Sequence, residues 1–472
     1  IKYSRKIKGI KMICRRKFLN LSIASFIMMS SKETYAEGKK IKRYKLVAKA
    51  TDHSFSNNQK LTNLWLLNNS CPGPLITAEK GDILEVEFTN LLGEPTTLHW
   101  HGIRNLNSMD GVPYVSQPLV ETGETFVYRF PINETGTYWY HAHNKAWEHV
   151  ARGLYGPLII TNNLNNSLGR RDILVVADDW LINENNQVDE ESFGNLMHWS
   201  HAGRYGNRLS INGQFSPKIE IPSYGPLRLR FINTANARIL SFSLLNKNLL
   251  NVISIDGISC KLFKTQKIVL GPAQRVDLLI EDSSQLKSLF EVSNKEPLRV
   301  ADFIPTDLEI EDRLNLIDPI VHHEVPPLTS AKIIEIHMQG GAMGNLSSAI
   351  FEGEKKELRE LALDHSKLWA FNGHIGNYDF QIAKVNLGDL IILKVWNDTN
   401  WPHSMHLHGQ HFWVNSQELS SDKRYLLRDT YLMDREEKSE FIFKANNPGD
   451  WLFHCHMLEH HASGMGGVIS VA

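Results

Sequence analysis

The chain has 472 residues, of which 42% are hydrophobic and 22% are charged, values typical of a soluble globular protein with two to four domains. The formal net charge is −1, but residues 1–36 hold nine Lys or Arg and one acidic residue, which leaves 42 basic and 51 acidic residues and a net charge of −9 for the rest. A mildly acidic body of this kind gives no reason to expect nucleic acid as a partner.

The first predicted element, residues 1–36, is a signal peptide. Arg15 and Arg16 precede the short apolar run LNLSIASFIMM, and small residues offer a cleavage site after Ala36. The arginine pair resembles the twin-arginine export signal of bacteria, so we expect the twin-arginine export machinery as a partner and a periplasmic or secreted product. A basic N-terminal anchor is the alternative, but the apolar run is short for a membrane span, and no stable membrane insertion is expected. Met12 is a candidate start residue.

Export would permit disulfides in the mature chain. Removal of Cys14 with the signal leaves Cys71, Cys260 and Cys455. A bridge between Cys71 and Cys260 is possible, but no feature of the sequence supports it. Two buried, unreactive thiols are the favoured expectation.

Short alternating segments rich in β-branched and aromatic residues dominate the rest of the chain. The clearest predicted strands are 83–90, 125–132, 226–233, 276–281, 390–397 and 440–445. Gly, Pro and Asn separate them, and only 353–367 has the pattern of a helix of any length. Many short strands with regular turns predict an all-β chain built from β-sandwiches.

Related phrases recur at the spacing of one domain. KGDILEVEFTN (80–90), YGPLRLRFIN (224–233) and LGDLIILKVWND (387–398) hold equivalent places, and NETGTYWYHAH parallels NNPGDWLFHCH. Such repeats predict three related sandwiches. We place them at residues 37–165, 166–310 and 311–472.

Four His-x-His pairs lie beside predicted strands: HWH (His99, His101), HAH (His141, His143), HLH (His406, His408) and HCH (His454, His456). Alternate side chains of an extended segment point to the same face, so each pair presents two imidazoles side by side. Four converging pairs would supply too many nitrogens for one metal ion but a suitable number for a cluster of three. Imidazole suits copper, iron, nickel and zinc. Buried, hydrogen-bonded histidines at sandwich edges are the alternative, which explains one pair more readily than four.

The segment HCHMLEHHASGM, residues 454–465, adds a cysteine between two of these histidines. Cys455 would point away from its flanking imidazoles and bind a separate metal. His460 and Met465 follow it closely along the chain, and His403, three residues before the HLH pair, would be the second imidazole. Two histidines, one cysteine and a distant methionine form the ligand set of a blue-copper electron-transfer site. Zinc is the alternative, but methionine is a poor zinc ligand.

With these motifs the sequence resembles the multicopper oxidases of the laccase-like family. HWHG (99–102), HAH (141–143), HSMHLHG (403–409) and HCHMLEHHASGM match that family's four copper motifs in order and spacing. The resemblance extends over about 40–472. It implies three cupredoxin-like Greek-key domains, with a trinuclear copper cluster shared by the first and third domains and a type 1 copper in the third.

The resemblance also implies a role for each motif residue, for four copper ions in all. The type 1 copper would be bound by His403, Cys455, His460 and Met465. The type 2 copper would be bound by His99 and His406. The two type 3 coppers would be bound by His101, His141 and His456, and by His143, His408 and His454. His461 is left over and is expected at the surface or behind the ligands.

Asp110 lies where the family places an acid near the cluster. Reduction of oxygen to water consumes protons, and a carboxylate that reaches cluster water can relay them. A turn residue is the alternative, because MDGVP (109–113) is also a good turn sequence.

The resemblance implies an oxidase in which a small reducing substrate gives single electrons to the type 1 copper at an exposed histidine edge. Four electrons would pass along Cys455 to the cluster, where dioxygen becomes water. The segment MHWSHAGRYG (197–206) is a candidate lining for the approach to the type 1 site, or an ordinary polar loop.

Three other functions compete with this expectation. Cuprous oxidases of the family often carry methionine-rich insertions, whereas this chain has 11 methionines, of which Met338 and Met343 form the only close pair outside the signal and the copper motifs. We therefore expect phenolic or aromatic amine donors, with cuprous oxidation for copper resistance as the alternative. A non-enzymatic periplasmic protein of the same fold is disfavoured because all ten histidine ligands of the copper motifs are present. A two-domain nitrite reductase would not need four His-x-His pairs.

Overall fold

The computed structural model describes residues 40–56, 60–162, 171–245, 249–307, 324–376, 378–420 and 423–472. The predicted signal, residues 1–36, lies outside the described residues. The predicted domain boundaries near residues 165 and 310 also lie outside them, and they stay predictions.

Along the strands, every second side chain tends to be buried. In β4, Ile83–Asn90, buried and half-buried side chains alternate after the first residue, as the sequence ILEVEFTN predicts for a strand with one face in a core. The predicted strand 390–397 likewise appears at Leu390–Asn397. The other predicted strands appear within one or two residues of their expected ends.

The first set of strands forms a sandwich of two four-stranded sheets, ordered β2-β1-β4-β6 and β3-β8-β7-β5. Its strands are β1 Ile41–His53, β2 Thr62–Leu67, β3 Ile76–Glu79, β4 Ile83–Asn90, β5 Leu98–His101, β6 Thr125–Pro131, β7 Gly136–Ala142 and β8 Tyr155–Thr161. One apolar core joins both sheets, for example Val86 with Trp100 and Tyr138.

The second sandwich contains sheets ordered β10-β9-β12-β17-β14-β15 and β11-β19-β18-β13-β16. Its strands are β9 Asp172–Trp180, β10 Arg208–Ile211, β11 Lys218–Pro222, β12 Leu227–Asn233, β13 Leu240–Ser243, β14 Leu250–Ile255, β15 Ile258–Thr265, β16 Ile268–Leu270, β17 Arg275–Ile280, β18 Ser288–Glu291 and β19 Leu298–Thr306. Its core again draws on both sheets, with Leu229 and Leu289 in one cluster.

The third sandwich contains sheets ordered β23-β20-β25-β30-β27-β28 and β24-β32-β31-β26-β29, with a separate hairpin β21-β22. Its strands are β20 Lys332–Gly340, β21 Ser348–Phe351, β22 Glu354–Glu357, β23 Trp369–Phe371, β24 Gln381–Val385, β25 Leu390–Asn397, β26 His403–Leu407, β27 Phe412–Ser416, β28 Leu427–Arg428, β29 Thr430–Met433, β30 Lys438–Lys444, β31 Gly449–Cys455 and β32 Gly466–Val471. Cys455 and Met465 lie in the core of this sandwich.

The internal repeat of the sequence is a repeat of topology. Strands β4, β12 and β25, which carry the recurring phrases, pair in parallel with β1, β9 and β20. Each also pairs antiparallel with a later strand, β6, β17 or β30. The all-β, cupredoxin-like class predicted from the sequence is confirmed.

Helices are few and short in the described part of the chain: α1 Ala146–His149, α2 Leu196–Ser200, α3 Leu358–His365 and α4 Leu458–Ala462, with 3-10 turns at Asn107–Met109, Glu190–Ser192, Ser283–Gln285 and Leu328–Ser330. Of these helices, none combines the length and apolar character needed to span a bilayer.

The helix predicted at 353–367 is too long by about two turns. Residues Glu354–Glu357 form β22 instead, which pairs with β21 across a turn at Gly353. Gly353 has φ +81°, a backbone conformation that favours glycine, so the hairpin forms where a helix would otherwise begin. The helix α3 then ends where Ser366 adopts a left-handed conformation, with φ 55°.

Candidate metal centre

Two pairs of neighbouring strands carry most of the His-x-His motifs. In the first sandwich, β5 pairs with β7 so that His99 lies opposite His141. In the third sandwich, β26 pairs with β31 so that His406 lies opposite His454. Each pairing therefore places imidazoles from two motifs side by side on a sheet.

The structure brings the eight motif histidines together into three groups, which we call the histidine cluster. Within each group the candidate ligand atoms lie within 4.8 Å of one another. The groups are His99 with His101 and His406, His101 with His141 and His456, and His143 with His408 and His454. Every one of these side chains is at most 1% exposed. The cluster is thus a buried, nitrogen-lined centre between the first and third sandwiches.

Hydrogen bonds fix the tautomers of several rings so that lone pairs face inward. Nδ1 of His454 donates to the carbonyl oxygen of Cys455 at 2.9 Å, and Nδ1 of His408 donates to the Asp110 carboxylate at 2.8 Å. A neutral imidazole with its proton on Nδ1 carries a lone pair on Nε2. The two Nε2 atoms nevertheless lie 3.1 Å apart. Two facing lone pairs in a dry interior repel each other, and a bound cation relieves the repulsion.

Other cluster nitrogens have no hydrogen-bond partner among the described residues, although buried polar atoms usually have one. They are Nε2 of His99, Nδ1 of His101, Nδ1 of His143, Nε2 of His406 and Nδ1 of His456. Metal coordination would satisfy them, so the donor set fits a bound metal cluster.

The environment keeps these rings neutral. Burial, followed by the neighbouring imidazoles, holds the pKa values of His143, His408 and His454 well below the ordinary histidine range. Burial also lowers the pKa of His406 to about 3, against a raising effect of Asp429. Neutral imidazole is the form that binds metal ions.

A second buried group, which we call the cysteine site, contains His403, Cys455 and His460. Sγ of Cys455 lies 3.5 Å from Nδ1 of His403 and 3.8 Å from Nδ1 of His460. The two Nδ1 atoms are 3.0 Å apart. Burial raises the pKa of the Cys455 thiol to about 12, so a bound cation is needed to hold the thiolate near neutral pH.

The other ring nitrogens of the cysteine site are held from outside. Nε2 of His460 donates to the carbonyl oxygen of His201 at 2.7 Å, and Nε2 of His403 lies 2.9 Å from the Thr399 hydroxyl. These bonds aim both Nδ1 atoms at the cysteine. Met465 is fully buried, and its backbone bonds to Cys455 and His460, which places it beside the same site.

Cys455 separates the two centres. Its own side chain belongs to the cysteine site, whereas its neighbours His454 and His456 belong to different groups of the histidine cluster. This division follows from the alternation of side chains at the end of β31. The backbone therefore joins the two centres directly, from Cys455 to His454 on one side and from Cys455 to His456 on the other.

The exposed histidine edge expected from the resemblance is absent from the described part of the structure. Both imidazoles of the cysteine site are fully buried. The segment 197–206 lies against them: besides the His201 contact, the Trp199 carbonyl accepts a hydrogen bond from Trp369 Nε1 at 2.7 Å. The Trp369 ring in turn lies 4.4 Å from the His460 ring. Helix α2 and His201, the residue that follows it, thus cover the His460 ring.

Asp110 touches two rings of the histidine cluster. Oδ2 lies 2.8 Å from Nδ1 of His408, and Oδ1 lies 3.3 Å from Nδ1 of His99, which also contacts the Asp110 carbonyl at 2.7 Å. Asp110 also ends the 3-10 turn, so the turn and the contact with the cluster occur together. The next residue must be small, because a Cβ on Gly111 would lie 1.8 Å from the Leu98 carbonyl oxygen.

Sequence analysis missed a second carboxylate at the cluster. Oδ1 of Asp429 lies 3.2 Å from Nε2 of His101, and its carbonyl accepts from Nδ1 of His406 at 2.8 Å. Burial opposes its ionisation, but the charge and hydrogen bonds of Arg275 outweigh burial and hold the pKa of Asp429 below its ordinary value. Arg275 comes from the second sandwich. No local pattern marks this pair, because Arg275 and Asp429 are 154 positions apart in the chain.

Three further residues, His461, Cys71 and Cys260, are all buried. His461 is buried rather than at the surface, with its ring 4.4 Å from that of His454, so the surface alternative is wrong. Cys71 and Cys260 are both buried free thiols, as favoured. Burial raises the pKa of each thiol, that of Cys260 to about 12.

Comparison with known proteins agrees with this geometry. Three family models, each described as multicopper oxidase, match residues 49–165, 171–293 and 354–472. Multicopper oxidase mco of Staphylococcus epidermidis is 27% identical over 490 aligned residues, covering 100% of this chain and 98% of that protein. Laccase-2 of Botryotinia fuckeliana is 26% identical, covering 84% of this chain and 77% of its own.

Solved structures of the same family are also similar. A multi-copper oxidase from Pseudomonas thermotolerans superposes with a TM-score of 0.74 at 28% identity, covering 92% of this chain and all of that one. A multicopper oxidase from Campylobacter jejuni, described as a metallo-oxidase, gives 0.72 at 26% identity and covers 93% of each chain. The fold, the buried histidine and cysteine groups and the three matching models together make this chain a member of the multicopper oxidase family.

Proposed function

We propose that the chain is a laccase-like oxidase that couples one-electron oxidation of phenols or aromatic amines to the four-electron reduction of dioxygen to water. The observation that carries the proposal is the position of Cys455. Its thiol lies in the cysteine site while its two neighbours lie in the histidine cluster. A family member with both centres intact has what this reaction requires, a one-electron acceptor connected to an oxygen-reducing centre.

The proposed copper ligands follow the groups. The type 1 copper would be held by His403, Cys455, His460 and Met465. The type 2 copper would be held by His99 and His406. The type 3 coppers would be held by His101, His141 and His456, and by His143, His408 and His454. Bound copper supplies one-electron redox chemistry at the first site and oxygen reduction at the cluster.

The protein's own residues orient these ligands and handle protons. Asp110 and Asp429 hold rings of the cluster in one tautomer through the contacts described above. Oδ1 of Asp110 has no hydrogen-bond partner among the described residues. We assign to it the transfer of protons to oxygen at the cluster. Burial of all the ligands excludes water and side reactions.

Cuprous ion is the second candidate substrate. Two exposed thioethers lie on or beside the helix α2 that covers the cysteine site. Met197, on α2, is 62% exposed, and Met343 is 74% exposed. The two segments join where the Ala342 amide donates to the Ser200 carbonyl at 2.6 Å. Thioether sulfur suits Cu(I). Relatives carry both descriptions, since one is called a laccase and another a metallo-oxidase.

The test is oxygen consumption by fully copper-loaded protein with a phenol, an aromatic amine or Cu(I), with and without added Cu(II). We expect the organic donors to be oxidised without added Cu(II). Turnover of Cu(I) alone, or organic oxidation that appears only with added Cu(II), would assign the protein to copper detoxification. Absence of oxygen consumption with every donor would contradict both oxidase functions.

We also propose export to the periplasm or medium through the twin-arginine machinery. The support is the sequence of residues 1–36, with Arg15 and Arg16 before an apolar run. Replacing both arginines by lysine should retain the protein in the cytoplasm. Export of this double variant at the original rate would contradict the route.

A further inference from the structure

A cleft of about 480 Å³ opens between the second and third sandwiches. Its volume lies within the range of small-molecule sites. None of the proposed copper ligands lines it. We call it the Arg428 cleft, after the charged residue that distinguishes it.

The wall of the Arg428 cleft is mainly apolar. Aliphatic and aromatic side chains come from both sandwiches, among them Val252, Phe263, Ile268, Leu432 and Tyr431. Phe263 is half-buried, and Lys423 places its ammonium 5.5 Å from the centre of that ring. Such a surface favours a flat apolar body such as an aromatic ring.

Arg428 supplies a buried charge with no ion-pair partner within 4.0 Å among the described residues, although Asp256 and Asp429 are near enough to interact with its charge. The residue is 5% exposed and lines the cleft, yet its Nε has no hydrogen-bond partner among the described residues. Its guanidinium has one long bond, from Nη2 to the Lys423 carbonyl at 3.5 Å, and lies 5.3 Å from the centre of the Tyr431 ring. A buried guanidinium normally pairs with a carboxylate or phosphate.

The acidic residues of the cleft are engaged elsewhere or exposed. Oε1 of Glu437 accepts from the hydroxyls of Ser416, Tyr431 and Ser439, and Oε2 accepts from the Asp434 amide. Glu418 and Asp434 are exposed at the surface. No described carboxylate forms an ion pair with Arg428 within 4.0 Å. A carboxylate bound in the cleft would therefore supply the direct ion pair that Arg428 lacks among the described residues.

We propose that the Arg428 cleft binds a small aromatic carboxylate, with the ring against Phe263 and the carboxylate on Arg428. The site lies one residue from the cysteine site, because Pro402 lines the cleft and precedes His403. It does not include the copper centres. Binding is therefore expected in both the metal-free and the copper-loaded protein, whatever the outcome of the oxidase assays.

The probe is cinnamate, which has no phenol to oxidise, compared with its uncharged methyl ester by titration calorimetry. We expect saturable binding of cinnamate at one site per chain, at least about tenfold tighter than that of the ester, because a hydrogen-bonded charge pair is worth that much. Arg428→Met should abolish the preference for the acid. Arg435→Met, which removes an exposed arginine outside the cleft, should not.

A second pair of variants tests the location without touching Arg428. Val269→Trp places a bulky ring at the mouth from a strand position that is 46% exposed, and it should weaken cinnamate binding about tenfold or more. Leu262→Trp, on an exposed position outside the cleft, should leave binding unchanged. Equal affinity for acid and ester, or unchanged binding in Val269→Trp, would overturn the proposal even if Arg428→Met fails to fold.

Discussion

Asp110 and His408 are 298 residues apart in the chain, yet the carboxylate Oδ2 of one lies 2.8 Å from Nδ1 of the other. The contact joins the turn after β5 in the first sandwich to the end of β26 in the third. Because Nδ1 of His99 donates to the Asp110 carbonyl, a single aspartate holds rings of two motifs in one tautomer, His408 through its carboxylate and His99 through its backbone. The histidine cluster thus depends on an acid that both sandwiches share.

Asp110→Asn should keep four coppers per chain but slow turnover about 100-fold, as expected for loss of a general acid. The amide oxygen can still accept from His408, so the ligand geometry should survive while proton transfer fails. The type 1 copper should then be mostly reduced during steady state, which its visible absorption reports.

The matched control is Asp398→Asn. Asp398 makes a similar 2.8 Å contact with His337, a histidine that belongs to neither metal centre. Its turnover should be unchanged. If the type 1 copper of Asp110→Asn stays oxidised during turnover, Asp110 acts at another step.

Cys455→Ser should abolish the blue colour and substrate oxidation together. A copper–thiolate bond causes the colour, and the same residue connects the two centres. The visible absorption of the copper–thiolate bond is the readout, since blue-copper sites depend on this bond. Cys260→Ser, at a buried free thiol in the second sandwich, is the control and should stay blue. A blue Cys455→Ser protein would refute the site assignment.

Met465→Leu should keep copper and colour while raising the type 1 potential, because a weak axial donor is replaced by an apolar group. Redox titration measures the change. Met457→Leu, at a buried methionine of the same motif, should leave the potential in place. A lowered potential, or loss of copper, in Met465→Leu would exclude Met465 as the axial ligand.

The metal-free protein should lose stability as the pH falls below about 6.5. Burial lowers the pKa values of His406 and His461 to about 3 and that of His460 to about 4, from the ordinary histidine value of about 6.5. Between these limits the unfolded chain binds protons that the folded chain does not, so acid favours unfolding. Each ring should contribute about 1.4 kcal/mol per pH unit in that window.

Denaturant unfolding of metal-free protein between pH 4.5 and 7.5 measures this effect. His461→Gln should reduce the slope of the free energy of unfolding against pH by up to one proton taken up on unfolding, since that ring is removed. A free energy of unfolding that does not change over this range would contradict the burial of neutral histidines. Copper loading should oppose the loss, because bound metal stabilises the folded state alone.

Local patterns account for what could be predicted from the sequence. The sequence predicts strand β4 at its observed bounds because side chains alternate through all but the first of its eight residues. The pairing of two imidazoles in each His-x-His motif could be predicted because alternate residues of a strand share a face. Long-range contacts explain the misses: Arg275 reaches Asp429 across sandwiches, and His201 covers His460 from 259 residues away. The hairpin at Gly353 replaced a helix because a turn conformation prevailed over helix-forming residues. The ligand roles themselves stay predictions.

The central claim is that the two centres act together in the four-electron reduction of dioxygen. The most direct test is the ratio of donor oxidised to dioxygen consumed by copper-loaded protein, with peroxide assayed in the same vessel. The account predicts four one-electron donors oxidised per dioxygen and no peroxide. A ratio of two with accumulating peroxide, or oxygen consumption that persists in Cys455→Ser, would contradict it.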